Sequence, residues 1–340
     1  MILVRVPLRV SLFGGGSDYP EYYQAHGGGA VLGFAIRKYV YVGVKAMPPG
    51  QLLSSGEPIQ FRVQYSRVDD VTRAEDVRHP AVRAALRYLG VTAPTEFHLF
   101  GDLPGRSGLG GSSACAVGLL LALHRHFENG AHGSVVDQLA LAAEATAFER
   151  HVIGEAIGCQ DQMLCALGGV QHISFATSGE ITATRLPISA LTHVALEASL
   201  VLAFTGAMRD SHVMAAQHVA AIPDRVAEIC SLLPLVEAGR RVLLWPTLSL
   251  SDLGGLLHET WQIKRGFHPE VTTPDIDALY AHGLALGAYG GKLLGAGGGG
   301  YLLFCVAPER RSAFIQQLGV PCVTFGVANQ GAHVLVGEPA

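Results

Sequence analysis

The stretch that most constrains this chain is Pro104-Gly105-Arg106-Ser107-Gly108-Leu109-Gly110-Gly111-Ser112-Ser113, which runs straight into the apolar segment from Ala114 to His124. Its glycines let main-chain N–H groups approach a ligand with no Cβ in the way. Ser112 or Ser113 is placed to cap the helix that follows, whose first N–H groups lack partners and whose dipole is positive at that end. Such a loop is a cradle for phosphate oxygens, and it equally suits a tight turn before a buried helix. It is not a Walker A motif, because Gly111 stands where that motif requires Lys. Nor is it a Rossmann fingerprint, since Ser113 fills the third glycine position. Phosphate bound here needs compensating charge from elsewhere: a cation and a carboxylate to hold it.

At 340 residues the chain is expected to form about two domains. It is 49% apolar and only 15% charged, against an average of about 25%, which predicts a compact α+β protein with a large core. A net charge of −4 argues against a nucleic-acid-binding surface. The six cysteines show neither CxxC pairing nor metal-ligand spacing and read as reduced thiols. No apolar run reaches the ~18 residues of a membrane helix, and residues 1–13 alternate like a strand, not a signal peptide. A cytoplasmic protein with no membrane partner is the expectation.

Strands are predicted at the N-terminus, over Tyr39–Lys45, over Ile59–Tyr65 and over Glu96–Leu103, the last feeding the glycine loop. Helices follow at about Ser113–Phe127 and Ser134–His151, then a strand from Val170 to Phe175. Thr, Ser and Gly cluster over 176–180, which divides the chain into 1–177 and 178–340. The second part reads as strands Ile181–Leu186 and Val194–Phe204, helices near Asp210–Ala238, Ser251–Arg265 and Pro274–Tyr289, and a strand Tyr301–Val306.

Several side chains are candidates for chemistry. Asp161 lies in an otherwise apolar stretch, where an acid is costly unless paired; a structural and a functional role are equally open. Glu149 could reach a cation at the glycine loop or simply face solvent. Asp18 follows Gly14-Gly15-Gly16-Ser17, presumed a loop tip, where hydroxyl recognition and an Asx-turn both suit it. Arg209, Lys264, Arg265 and Lys292 are solvated charges or anchors for a substrate phosphate. Gly295-x-Gly297-x-x-Gly300 matches the dinucleotide pattern, but a strand follows it and no acid lies about 20 residues on. A glycine-lined wall including Gly297 and Gly298, or a tight crossover, fits better. None of the fifteen histidines is assigned to metal or catalysis.

Pro7-Leu8-Arg9-Val10-Ser11-Leu12-Phe13-Gly14-Gly15-Gly16-Ser17-Asp18-Tyr19, the glycine loop, and Lys292-Leu293-Leu294-Gly295-Ala296-Gly297-Gly298-Gly299-Gly300 together resemble the GHMP kinase superfamily. Within it, Gly158-Cys159-Gln160-Asp161-Gln162, Thr205-Gly206 with Arg209, and Trp261-Gln262-Ile263-Lys264-Arg265 look like the branch that phosphorylates the anomeric hydroxyl of a heptose 7-phosphate. The resemblance implies two halves, one like a ribosomal protein and one ferredoxin-like, with ATP between them. It implies that residues 105–113 wrap the ATP phosphates and that Ser113 and Glu149 hold Mg²⁺. Asp161 would be the catalytic aspartate and Arg9 the basic residue beside it. Asp18, with Gly15, Gly16, Gly297 and Gly298, would line the sugar site, and Arg209, Lys264 and Arg265 would bind its phosphate. Gly15 and Gly16 replace the Glu-His of galactokinase, which speaks against plain galactose. The implied partners are ATP and a small sugar phosphate, and a homodimer is compatible with the family. A decarboxylase or a non-catalytic sensor on the same fold are the competing readings.

Overall fold

A computed structural model describes residues 1–127, 137–208 and 211–337. Among the described residues, twelve strands form two sheets. The large sheet contains β1 (Ile2–Phe13), β2 (Gly29–Ala46), β3 (Phe61–Gln64), β4 (Val68–Val71), β5 (Thr95–Gly101), β6 (Val170–Phe175) and β7 (Ile181–Arg185). The small sheet holds β8 (Leu200–Phe204), β9 (Gly290–Leu293), β10 (Tyr301–Cys305) and β11 (Cys322–Val323) in the order β11-β8-β10-β9. The last strand, β12 (His333–Gly337), returns to the large sheet and pairs antiparallel with β1. The large sheet therefore runs β12-β1-β2-β5-β3-β4, with β6 joining the other end of the long β2 and β7 pairing beyond it.

Helices α1 (Pro20–Tyr23), α2 (Pro80–Tyr88), α3 (Gly111–Phe127), α4 (Gln138–Ala147) and α5 (Gln160–Leu167) accompany the large sheet. The second part adds α6 (Ala190–Ser199), α7 (Ser211–Ala221), α8 (Val226–Leu244), α9 (Leu250–Lys264), α10 (Pro274–Ala285) and α11 (Arg311–Leu318). α3 and α5 pack on β1 and β2, and α3 is apolar nearly all round because it is covered on every side. Gly118 permits its close approach: a Cβ there would come within 2.8 Å of the Val42 side chain. α8 packs on the same two strands and on α9, and α9 lies along β9, so the small-sheet half is seated against the ends of β1 and β2.

Three expectations are corrected. The segment read as a strand from Val194 is α6 as far as Ser199. Ser189 caps it by accepting the Thr192 N–H at 3.0 Å, and its buried positions 192, 196 and 199 follow a helical period. The single helix expected over 210–238 breaks into α7 and α8, separated by a turn at Ile222–Asp224 that contains Pro223. Asp210 itself lies outside the described residues, as does Ser134 in front of α4; that helix instead starts on an Asp137 cap and loosens into a π-helical turn, Phe148–Ile153. β7 and β12, both beyond residue 177, complete the large sheet.

Candidate active site

The glycine loop follows the C-terminal end of β5 and enters α3 beside β1. Gly108 and Gly110 take φ of +78° and +74°, and a Cβ on Gly110 would lie 2.8 Å from Cγ of Arg9. Glycine there is what admits the arginine stem under the loop. Arg9 is 4% exposed and its main-chain N–H donates to the Leu109 carbonyl at 3.0 Å, so β1 and the loop are tied together. Its guanidinium donates to the Gly108 carbonyl and forks onto Asp161, with Nε to Oδ1 at 2.7 Å and Nη2 to Oδ2 at 2.5 Å. Burial works to lower the Arg9 pKa; the Asp161 charge and hydrogen bonds outweigh it and hold the pKa above its ordinary value. Asp161 sits in the first turn of α5 with a quarter of its side chain exposed, the open side of an otherwise enclosed pair.

Asp18 is not at an exposed loop tip. It is 1% exposed, and Oδ1 accepts from the Gly16 N–H at 2.9 Å and from Gln160 Nε2 at 3.1 Å. Oδ2 accepts from the Gln160 N–H at 3.2 Å, which supplies an acceptor to the start of α5. Burial pushes this carboxyl up to about 6, against those N–H donors; neighbouring Asp161 adds to the rise.

Glu149 is fully buried on the π-helical turn, not on a solvated face. Ser112 Oγ donates to Oε1 at 3.1 Å and Gln162 Nε2 donates to Oε2 at 2.6 Å; the same Nε2 donates to Ser113 Oγ at 3.1 Å. The serines therefore lie inside the first turn of α3 facing Glu149, rather than capping it, because the helix already begins at Gly111. Burial pushes Glu149 up to about 7 despite its neutral donors. A carboxylate and a hydroxyl oxygen converging in the interior, with no side-chain cation among the contacts of Glu149, fit a hard divalent ion.

The second glycine run packs backbone against backbone. A Cβ on Gly295 would come within 2.6 Å of Gly108, and Tyr301 N–H donates to the Ser107 carbonyl at 3.2 Å. Gly297 and Gly298 are buried on Val271, whose carbonyl accepts the Gly298 N–H at 2.8 Å. Lys264, at the end of α9, donates to the carbonyls of Leu293, at 3.0 Å, and Gly295. Burial and then nearby Arg9 push its ammonium down to about 7. Lys292 on β9 reaches the Ser11 and Leu12 carbonyls at 3.1 and 2.9 Å and is 3% exposed, which pins the small sheet to the end of β1. Arg265 is engaged by Asp277 at 2.6 Å, and Arg209 lies outside the described residues. Gln160 and Gln162 entered the sequence reading only as part of the motif around Asp161, with no role of their own, although two amides flanking an acid in an apolar stretch are a readable signal. Sequence reasoning passed over His218 of α7, for which no local signal exists.

With this geometry in view, residues 77–169 match the family described as GHMP kinases N terminal domain. The chain carries a GHMP kinase N-terminal domain there and is a phosphotransferase with an alcohol group as acceptor. ATP is the phosphoryl donor in this family. Among individual proteins, it is 25% identical over 325 residues to the D-glycero-alpha-D-manno-heptose 7-phosphate kinase of Campylobacter jejuni, covering 93% of each chain. It is 25% identical over 301 residues to the mevalonate kinase of Thermococcus sibiricus, covering 84% of this chain and 82% of that one. The crystal structure of a D-glycero-D-manno-heptose 1-phosphate kinase from Bacteroides thetaiotaomicron superposes with a TM-score of 0.77 at 20% identity, covering 99% of this chain and 100% of the other. That likeness extends to the α+β, two-sheet architecture expected of the family. Among the described residues, no helix is long and apolar enough to cross a membrane.

Proposed function

We propose that the protein transfers the γ-phosphoryl group of ATP to the anomeric C1 hydroxyl of a sugar phosphate, foremost D-glycero-D-manno-heptose 7-phosphate, to give the 1,7-bisphosphate used for nucleotide-activated heptose. The observation that carries this reading is the Arg9–Asp161 fork, locked to the Gly108 carbonyl at the mouth of the glycine loop. It sets an acceptor-activating carboxylate beside a phosphate cradle. Phosphoryl transfer needs alignment and charge neutralisation more than covalent help. Main-chain N–H groups of residues 105–113 hold the ATP phosphates, and Asp161 accepts the C1 hydroxyl proton as that oxygen bonds to the γ-phosphorus. The bond to the bridging oxygen breaks and ADP leaves. Arg9 holds the Asp161 carboxylate in place through its two-pronged bond. Ser113 and Glu149 would hold Mg²⁺, which supplies the positive charge that a Walker lysine would otherwise provide. Asp18, Gly15, Gly16 and Lys264 line the acceptor side, and the reading places the enzyme in the cytoplasm.

Coupled ADP release over a panel of heptose 7-phosphate, hexose 6-phosphates, free hexoses and mevalonate tests this. A phosphorus spectrum of the product then locates the new ester. Turnover of the heptose phosphate with a new C1 phosphate is expected. Preference for mevalonate, or a phosphate at any other carbon, defeats the reading.

A further inference from the structure

Residues 15 and 16 carry no side chains, yet the space beside them is taken. A Cβ on Gly15 would lie 3.3 Å from Nε2 of Gln160, and one on Gly16 would lie 3.2 Å from Nε2 of His218. Two helices, α5 and α7, thus deliver side chains to the positions that the loop leaves vacant. His218 is 7% exposed, and its ring lies between Tyr19 and Phe267 at centroid distances of 4.8 and 5.3 Å. Its Nε2 lies close to the Gly16 backbone but makes no hydrogen bond of good geometry, and Oε1 of Gln160 is buried with no hydrogen-bond partner among the described residues. Buried polar atoms are almost always paired, so two orphans on one short loop mark a place where a ligand completes the bonding. Gln160 is also the residue before Asp161 and donates to Asp18, which puts its free oxygen on the acceptor side of the site.

We infer that His218 and Gln160 form the hydroxyl-reading wall of the acceptor subsite, with His218 Nε2 and Gln160 Oε1 hydrogen-bonding to hydroxyls of the substrate. This rests on the sugar-acceptor reading above. Glycines at 15 and 16 are the complement of that wall, since a side chain at either position would push it back. Burial, with Lys264 and His268 nearby, pushes the His218 imidazole down to about 4, so the ring is neutral and suited to a hydroxyl rather than to a phosphate.

The test is steady-state kinetics of His218→Phe, which keeps the aromatic stack and removes the polar atom, with His218→Gln as the polar comparison. Against the sugar that wild type accepts, His218→Phe is expected to raise the sugar KM about tenfold, with the KM for ATP unchanged. His218→Gln should recover part of the loss. A series of monodeoxy sugar phosphates should contain one that wild type disfavours and His218→Phe does not. An unchanged sugar KM, or equal losses on every deoxy analogue, overturns the inference. Should His218→Phe fail to fold, Gln160→Met puts the same question from the facing side. The two readings separate cleanly. Wild-type turnover across the panel judges the sugar reading, the variant-to-wild-type ratio judges the wall, and a wild type inert on every alcohol brings down both.

Discussion

Asp161 and Glu149 both lie near the start of α3, and they are held in opposite ways. Asp161 has its counter-charge within the chain, as a two-pronged bond to Arg9, and keeps a quarter of its side chain open. Glu149 is wholly buried, and its contacts are a serine hydroxyl and a glutamine amide. A carboxylate paired with an arginine has its counter-charge within the chain, whereas one held by neutral donors draws a proton or a metal ion from solution. On the proposed reading this difference would divide the work: Asp161 would face the acceptor, and Glu149 would complete a site for a cation that arrives with the nucleotide.

The sharpest break would come at Asp161. Asp161→Asn keeps the shape and removes the proton acceptor, so kcat should fall by roughly 10³–10⁴ while ATP binding by calorimetry stays near wild type. A near-wild-type rate would mean that the fork is structural only. Next comes Glu149→Gln. Loss of the charged metal ligand should lower kcat/KM for Mg·ATP by roughly 10²–10³. The metal-free protein should melt higher than wild type, since an uncompensated buried charge is gone. A lower melting temperature without metal would erase the contrast between the two acids.

Much of this site could be read from the chain because it depends on local chemistry. The glycine loop follows from residue types and spacing, whereas the metal role of Ser113 and the catalytic role of Asp161 rest on the family resemblance, and Gly110 is needed for a reason that spacing alone does not reveal, the Arg9 stem beneath it. What could not be read is set by long-range packing. Arg9 and Asp161 are 152 positions apart, and only the family resemblance, not any local signal, set them side by side. His218 reaches Gly16 only because α7 folds over the loop. Val194–Phe204 misled because a run of small and apolar residues suits a strand as well as a helix, and the Ser189 cap decides it. The strand at 333–337 belongs to the first sheet, a return that no boundary signal announces.

Asp18 extends the contrast to a third acid, buried like Glu149 and served by N–H donors. Its folded-state pKa is raised from 3.8 to about 6, so the native state holds its proton more tightly than the unfolded chain does. The stability this contributes is fully present below pH 3.8 and is lost as pH rises through 6. Over that window wild type should lose about 3 kcal/mol relative to Asp18→Asn, measured by urea unfolding across the pH range. Parallel profiles for the two proteins would show that Asp18 is ionised throughout.

The smallest effect belongs to Arg265, which was expected at the substrate phosphate. Like Arg9 it has a carboxylate partner, but the Arg265–Asp277 pair leaves a third of each side chain exposed, and Thr272 Oγ1 donates to the other oxygen of Asp277 at 2.7 Å. Water screens such a pair, so Arg265→Ala should cost about 0–1 kcal/mol of stability. The sugar-phosphate KM should not move, because the guanidinium is already engaged against α10. Lys264, one residue earlier, faces the opposite way, onto the carbonyls beside Gly295 and towards Arg9. Its alanine variant should therefore raise the sugar KM where Arg265→Ala does not. A KM that rises in the arginine variant alone would reverse the assignment and put the substrate phosphate on the α10 side of the helix end.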